Sequence, residues 1–292
     1  MVRGMGIRRR LRRRFDLSKA VFILPNLFTV SSIFCGFYAA VTAAGATGDS
    51  AGHDLYRACI AVLFAMAFDA VDGRVARLTK TQSEFGVQMD SLADVISFGA
   101  VPGLIAWHWG LSKLGDLGLF VCFVYCACGT IRLARFNVMA AADDGPSTYF
   151  LGLPIPAAAG LLVAAIIASV QMDYTLTGEE MWPPFLMVAL GALMVSNVRF
   201  PTFKATRLTA KTGAILALIF GSLIYIGAET RPSIAILTLM LSYLAYGIAE
   251  DLRRVLRSLR DDEEEEEELE EETFSTFASD VLIDDEEEEL ID

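Results

Sequence analysis

The chain has 292 residues, 54% of them hydrophobic, and its mean hydropathy of +0.48 lies well above the range of soluble domains. Its formal net charge is −12, but 19 of its 36 acidic residues lie in a tail between residues 261 and 292, so the rest of the chain carries a formal charge of +7. This composition excludes a soluble globular enzyme. It indicates an integral membrane protein with a basic body, as suits an anionic membrane surface.

Residues 1–20 form a basic segment, with seven arginines between positions 3 and 14. In a soluble protein such a segment would suggest nucleic-acid binding. Beside a membrane it favours contact with anionic lipids, so we predict membrane lipids as partners and no nucleic acid. The apolar stretch that follows is too long for the core of a signal peptide, and we predict that it is a retained membrane helix.

Residues 21–255 are predicted to form the membrane domain, because most of their apolar windows approach the roughly 17–25 residues that a helix needs to cross a bilayer. They predict an all-α, polytopic integral membrane helical bundle. Eight transmembrane helices are predicted, at about 22–44, 56–78, 88–109, 117–139, 154–171, 181–196, 213–228 and 232–250. Residues 256–292 are predicted to be an acidic tail that is too polar to fold.

The distribution of Lys and Arg predicts the orientation of these helices. The segments on one side of the membrane hold 21 of the 24 basic residues, whereas the other side holds Arg57, Lys113 and Arg231. By the positive-inside rule, both termini face the cytoplasm. The chain is therefore expected to be a multi-pass protein of the cell membrane with a cytoplasmic active site.

Four aspartates lie within 26 residues, two in the second predicted helix and two in the third. An unpaired carboxylate at mid-membrane depth costs about 2.5–3.5 kcal/mol, so four of them need compensation. The spacings i, i+3 and i, i+4 project each pair from one helix face, and the short link predicts antiparallel helices whose carboxylates meet. The pattern is Asp69-x2-Asp72-Gly73-x2-Ala76-Arg77-x8-Gly86-x3-Asp90-x3-Asp94.

Carboxylates on facing helices suit Mg²⁺ or Mn²⁺. We predict two ions, about 3.5–4 Å apart, that clamp a phosphoryl group. Gly73 and Ala76 leave room for a ligand at the helix backbone, and Arg77 offers a fixed positive group to phosphate. A single aspartate could instead be a structural charge bonded to Lys or Arg, but four in this register favour a metal site.

This pattern of eight fixed residues resembles the signature of the CDP-alcohol phosphatidyltransferases. These are integral membrane enzymes that move a phosphatidyl group from a CDP-linked lipid to an alcohol and release CMP. Further segments resemble the phosphatidylserine synthase branch of that family. They are residues 24–29, 81–83, 132–137, 153–156 and 196–201.

The resemblance implies that CDP-diacylglycerol is the donor of the phosphatidyl group and that the protein is a homodimer. It also implies roles for the motif residues. Asp94 is the expected base, since a carboxylate within hydrogen-bond reach can take the proton of the acceptor hydroxyl. All four aspartates are expected at the metal ions, with Asp69, Asp72 and Asp90 as the main ligands. The expected contacts to the CDP-lipid are Asp69, Asp72, Gly73, Ala76, Arg77 and Gly86.

The acceptor is predicted from cations near the inner end of the fourth helix. Arg132 and Arg135 share a face there, and two guanidiniums would bind an acidic group. These charges suit the carboxylate of L-serine and also glycerol 3-phosphate, and the resemblance to the phosphatidylserine synthase branch is what favours L-serine. Glycerol 3-phosphate and inositol are the alternative acceptors, and anchoring of the topology is the alternative role for the cations. The predicted acceptor or phosphate contacts are Arg132, Arg135, Asn137, Arg199 and Lys204.

Two functions of another kind are open to this sequence. Acidic residues inside a membrane could line the path of a divalent cation or proton in a transporter. A conduit needs ligands through the depth of the membrane, whereas these carboxylates cluster at one end. A non-catalytic assembly partner is the other alternative, and the presence of all four aspartates argues against it.

Overall fold

The computed structural model describes residues 17–79, 81, 83–142, 149–172, 180–201, 234–258 and 260. The described chain is almost entirely helical, as the sequence predicts. Its helices are α1 (Leu17–Ala44), α2 (Ala51–Thr79), α3 (Glu84–Asp94), α4 (Val101–Trp109), α5 (Asp116–Ala142), α6 (Ile155–Gln171), α7 (Trp182–Val195) and α8 (Ile234–Ser258).

Four helical stretches within the described residues are long and apolar enough to cross a membrane. They are Leu24–Ala44, Glu84–Trp109, Asp116–Ala140 and Ile234–Ser258. The helices α6 and α7 are apolar but shorter. The chain is therefore an all-α membrane protein, apart from one small β-ribbon.

Seven of the eight predicted spans coincide with helices, and the span predicted at 213–228 lies outside the described residues. The helix α2 has 29 residues but is less apolar than the four long stretches, because it carries charged residues in both halves. The predicted tail, residues 256–292, begins inside α8, because that helix continues to Ser258. Apart from residue 260, the rest of the tail lies outside the described residues. Most of the basic segment 1–20 also lies outside them. The count of eight spans and the orientation stay predictions.

The surface of the bundle is apolar where a soluble protein would be polar. Phe34 on α1, Phe123 on α5 and Phe185 on α7 are all more than 60% exposed. In contrast, α6 is buried on nearly every side, from Ile155 to Ser169. Such a distribution fits a bundle with one central helix whose outer faces contact lipid.

A two-stranded antiparallel ribbon, absent from the sequence prediction, joins the loops that follow α5 and α7. Strand β1 (Tyr149–Leu151) pairs with β2 (Arg199–Pro201), with Phe150 opposite Phe200. Gly152 follows β1 with a φ of +74°, and a Cβ there would lie 2.2 Å from the carbonyl oxygen of Met194. Only glycine fits this close approach. Strands of three residues carry too little periodicity to be recognised in a sequence.

A π-helical turn, Val95–Ala100, follows α3 directly and connects it to α4. Helix α1 packs closely on this turn, because a Cβ at Gly36 would lie 2.6 Å from Ser97 Oγ and 3.1 Å from Ser97 Cα. The Ser97 hydroxyl donates to the carbonyl of Ser32, and the Tyr125 hydroxyl donates to the carbonyl of Phe98. These contacts fix the backbone immediately after Asp94, the last residue of α3, as is typical of π-turns beside functional sites.

Candidate metal and substrate site

Three carboxylates from two helices meet between α2 and α3. Ligand atoms of Asp69, Asp72 and Asp90 all lie within 4.8 Å of one another. Asp72 is buried, whereas Asp69 and Asp90 are half-buried. We call these three residues the aspartate cluster.

Asp94 lies beside the aspartate cluster, one helical turn after Asp90. Its carboxyl group, like that of Asp90, approaches Asp69 within hydrogen-bonding reach. Asp94 is buried, with 9% of its surface exposed, and its Oδ1 has no hydrogen-bond partner among the described residues. The four carboxylates that the sequence places on two helix faces therefore come together in space.

Direct ion pairs with basic side chains do not compensate these charges. Within the described part of the chain, no Lys or Arg forms an ion pair within 4.0 Å of any of the four aspartates. Like charges at this spacing repel one another strongly in apolar surroundings, so the group suits a cation. Clustered hard oxygen donors match the ligand preference of Mg²⁺ and Mn²⁺, and the chemistry of the donor set fits the predicted ions.

A threonine from α1 supports the aspartate cluster, and the sequence analysis did not single it out. The Thr29 hydroxyl donates a 2.7 Å hydrogen bond to Oδ2 of Asp72, and both residues are buried. A bond of this kind orients a metal-binding carboxylate. Thr29 closes the segment 24–29 noted above as similar to the phosphatidylserine synthases, so a signal was present in the sequence.

The small residues of the motif differ in their surroundings. A Cβ at Gly73 would meet only the end of the Arg77 side chain, at 4.0 Å, so the space in front of Gly73 is open. Ala76 lies one turn along the same helix and is half-buried, and Arg77 is exposed. Gly86 has a local role, because its N–H donates to the Ser83 hydroxyl and so caps the start of α3.

The two arginines predicted to bind the acceptor lie in different surroundings. Arg132 is buried, and its guanidinium interacts electrostatically with Asp94 and with Tyr243 of α8, which the sequence analysis did not consider. Arg135 instead donates to the Asn197 side chain at 2.7 Å and to the carbonyl of Val195 at 3.2 Å. It therefore ties α5 to the end of α7.

The other predicted acceptor residues lie further along these elements. The Asn137 side chain donates to the Ser91 hydroxyl at 2.9 Å, which links α5 to α3 beside the aspartate cluster. The N–H of Arg199 donates to Asp251 of α8, and Arg199 is exposed. Lys204 lies outside the described residues.

Comparisons with known proteins agree with this site. A CDP-alcohol phosphatidyltransferase model matches residues 22–198. A CDP-diacylglycerol–serine O-phosphatidyltransferase of Helicobacter pylori is 41% identical over 228 residues, which cover 78% of this chain and 90% of that protein. One from Methanocaldococcus jannaschii is 31% identical over 192 residues, or 66% of this chain and 83% of the relative.

A third relative has a different name. An archaetidylserine synthase of Methanothermobacter thermautotrophicus is 35% identical over 182 residues, which cover 61% of this chain and 69% of that protein. The family match includes the aspartate cluster, Asp94 and Arg132, which the structure brings together. The chain belongs to the CDP-alcohol phosphatidyltransferase family.

Proposed function

We propose that this protein transfers the phosphatidyl group of CDP-diacylglycerol to the hydroxyl of L-serine, giving phosphatidylserine and CMP, with Mg²⁺ or Mn²⁺ at the aspartate cluster. The observation that carries the proposal is the convergence of Asp69, Asp72 and Asp90 within 4.8 Å, next to the buried Asp94. The names of the H. pylori and M. jannaschii relatives support serine as the acceptor.

Asp69, Asp72 and Asp90 would hold the cations, with Asp94 at the edge of the site. When bound, divalent cations supply charge neutralisation at the diphosphate of the donor and at the departing CMP. Thr29 keeps the Asp72 carboxylate turned toward the site. The open space at Gly73 allows the donor to approach the backbone of α2, and Arg77 at its edge offers a positive group to a phosphate.

Asp94 is the proposed general base. It takes the proton of the serine hydroxyl while the serine oxygen forms a bond to the β-phosphorus, the one that carries diacylglycerol, and the bond from that phosphorus to the oxygen of CMP breaks. The Oδ1 atom of Asp94, which lacks a partner among the described residues, is available for that hydroxyl. The Arg132 guanidinium interacts electrostatically with Asp94.

Arg132 is the strongest of the proposed acceptor residues, because it is buried next to the base. Asn137 donates to the Ser91 hydroxyl of α3, which places it beside the aspartate cluster. Arg135 already donates to Asn197 and to the carbonyl of Val195, so these donors are engaged within the protein. Arg199 is exposed and Lys204 lies outside the described residues, and both stay candidate contacts to an acidic acceptor or a phosphate. A buried cation suits the carboxylate of serine and also suits glycerol 3-phosphate, whereas neutral inositol gains nothing from it.

The cellular setting is part of the proposal. We infer a multi-pass protein with both termini and the active site on the cytoplasmic side, because the basic residues concentrate on that side of the predicted spans. Family resemblance supports a homodimer.

The direct test is CMP release by the purified full-length protein in detergent with CDP-diacylglycerol and Mn²⁺. L-serine, glycerol 3-phosphate and inositol are compared, with Asp94→Asn as the inactive variant and Asp116→Asn, in the exposed first turn of α5, as the matched control. Serine-dependent release that is lost only in Asp94→Asn supports the proposal. CMP release with another alcohol would show that this alcohol, and not L-serine, is the acceptor. The absence of CMP release with every acceptor would contradict the proposed phosphatidyltransferase activity.

A further inference from the structure

The starting point is the surroundings of Arg132 at the inner end of α5. Its side chain is buried, with 7% of its surface exposed, and its Nε has no hydrogen-bond partner among the residues that the structure describes. A buried guanidinium normally uses most of its donors. An unused donor this close to Asp94 indicates a place for an anionic ligand.

Helix α8 supplies the other polar group. Tyr243 lies on the face of α8 that packs on the bundle core and is close enough to Arg132 for the two groups to interact electrostatically. Its ring stacks on Phe200, with centroids 6.2 Å apart. Neither Tyr243 nor any other residue of α8 belongs to the aspartate motif or to the region matched by the family model.

The β-ribbon holds α8 in this position. Phe200 of β2 is fully buried and packs against Gly247 of α8, where a Cβ would lie 2.3 Å from its ring. The N–H of Arg199 donates to Asp251, one turn further along α8. Tyr243 is therefore held by its own ring contact with Phe200 and by the contacts at Gly247 and Asp251, one and two turns further along α8, as a binding residue needs to be.

Serine fits this arrangement for a chemical reason. Its carboxylate and its hydroxyl are separated by two carbon atoms, and Arg132 interacts electrostatically with both Asp94 and Tyr243. A carboxylate held on Arg132 would therefore present its hydroxyl to the Asp94 base. The Arg132 guanidinium and the Tyr243 phenol could both donate hydrogen bonds to a single carboxylate of serine.

We infer that Tyr243 is an acceptor-specificity residue, whose hydroxyl donates to the serine carboxylate that Arg132 binds. The inference rests on the proposed function and deepens it, because it assigns recognition of the acidic group of the acceptor to α8. Serine derivatives without a carboxylate are then poor acceptors because they leave Arg132 without an anion.

The test is Tyr243→Phe in the full-length protein, with Tyr246→Phe as the matched control. Phenylalanine keeps the ring that stacks on Phe200, and Tyr246 is an exposed tyrosine on the same helix. Steady-state CMP release gives kcat and KM for L-serine and for CDP-diacylglycerol. Loss of a hydrogen bond to a charged group predicts a rise of about 10-fold or more in the KM for L-serine, with the KM for CDP-diacylglycerol unchanged.

A second readout separates recognition from packing. The preference for L-serine over L-serinamide, measured as the ratio of kcat/KM values, falls about 10-fold in Tyr243→Phe, whereas a packing defect would lower both values equally. Equal behaviour of the Tyr243→Phe and Tyr246→Phe variants would overturn the inference and leave the proposed function intact. A wild-type protein that releases no CMP with serine would overturn both.

Discussion

The hydroxyl of Thr29 donates a 2.7 Å hydrogen bond to Oδ2 of Asp72 across 43 residues of sequence. Thr29 lies on α1 and Asp72 on α2, and both are buried at the edge of the aspartate cluster. A bond of this kind orients the Asp72 carboxylate within the cluster. Helix α1 thus takes part in the site although it carries none of the four aspartates.

Thr29→Val removes this donor and preserves the shape of the side chain. We expect the Mn²⁺ concentration for half-maximal CMP release to rise by about 10- to 100-fold, the usual effect of losing a residue that orients a metal ligand. Thr42→Val is the control, because the Thr42 hydroxyl bonds only to a carbonyl of its own helix, that of Tyr38. Equal metal dependence in the two variants would show that the bond does not support the metal site.

Metal binding should stabilise the protein through the aspartate cluster. A cation at 100 times its Kd adds about 2.7 kcal/mol to the free energy of unfolding, and thermal unfolding with and without Mn²⁺ measures it. In Asp90→Asn we expect this increase to disappear. The same variant should be more stable than the wild type without metal, because one of the repelling carboxylates is gone.

Asp116→Asn serves as the charge-matched control in that experiment, since Asp116 begins α5 far from the cluster in sequence and is exposed. Addition of EDTA should abolish CMP release by the wild type, and excess Mg²⁺ or Mn²⁺ should restore it. An undiminished Mn²⁺-induced stabilisation in Asp90→Asn would contradict the assignment of the cluster as a metal site.

Gly73→Ala tests whether the open space on α2 belongs to the donor. The added methyl group has room in the protein alone, since its closest neighbour would be Arg77 Nη1 at 4.0 Å. We therefore expect an unchanged or slightly raised unfolding temperature, as alanine favours a helix by about 1 kcal/mol over glycine. The KM for CDP-diacylglycerol should rise several-fold.

Gly52→Ala, nearer the start of the same helix, is the control for helix propensity, because its Cβ would make an ordinary contact with Val170 at 3.6 Å. Both variants should gain similar stability. If the two variants also share the same KM for CDP-diacylglycerol, the donor does not approach Gly73.

Arg135→Gln should separate a structural arginine from an acceptor-binding one. Arg135 donates to the side chain of Asn197 and to the carbonyl of Val195, and both bonds weaken or disappear with glutamine. Because the pair is partly exposed, we expect a loss of about 1–2 kcal/mol in the free energy of unfolding. The KM for L-serine should change less than about twofold.

The companion variant is Arg132→Gln, in which we expect the KM for L-serine to rise far more than in Arg135→Gln. Unfolding temperature and serine titration are measured on both proteins. A larger effect of Arg135→Gln on the serine KM would place Arg135, rather than Arg132, at the acceptor.

The local features of this protein could be predicted from its sequence. The lengths and apolarity of the helices follow from windows of about 20 residues, and the spacings of Asp69 with Asp72 and of Asp90 with Asp94 define helix faces without any tertiary information. The same local rules missed the strand pair at Leu151 and Arg199, because each strand is only three residues long.

The tertiary structure decided which distant residues join the site. Thr29 reaches Asp72 because α1 packs against α2, and Tyr243 comes near enough to Arg132 for an electrostatic interaction because Phe200 and Gly247 bring α8 against the ribbon. It also separated Arg132, which lies beside Asp94, from Arg135, which bonds to the end of α7. Helix periodicity fixes a residue's face within its own helix, whereas neighbours on other helices depend on how the packed helices are arranged, and no local pattern contains that arrangement.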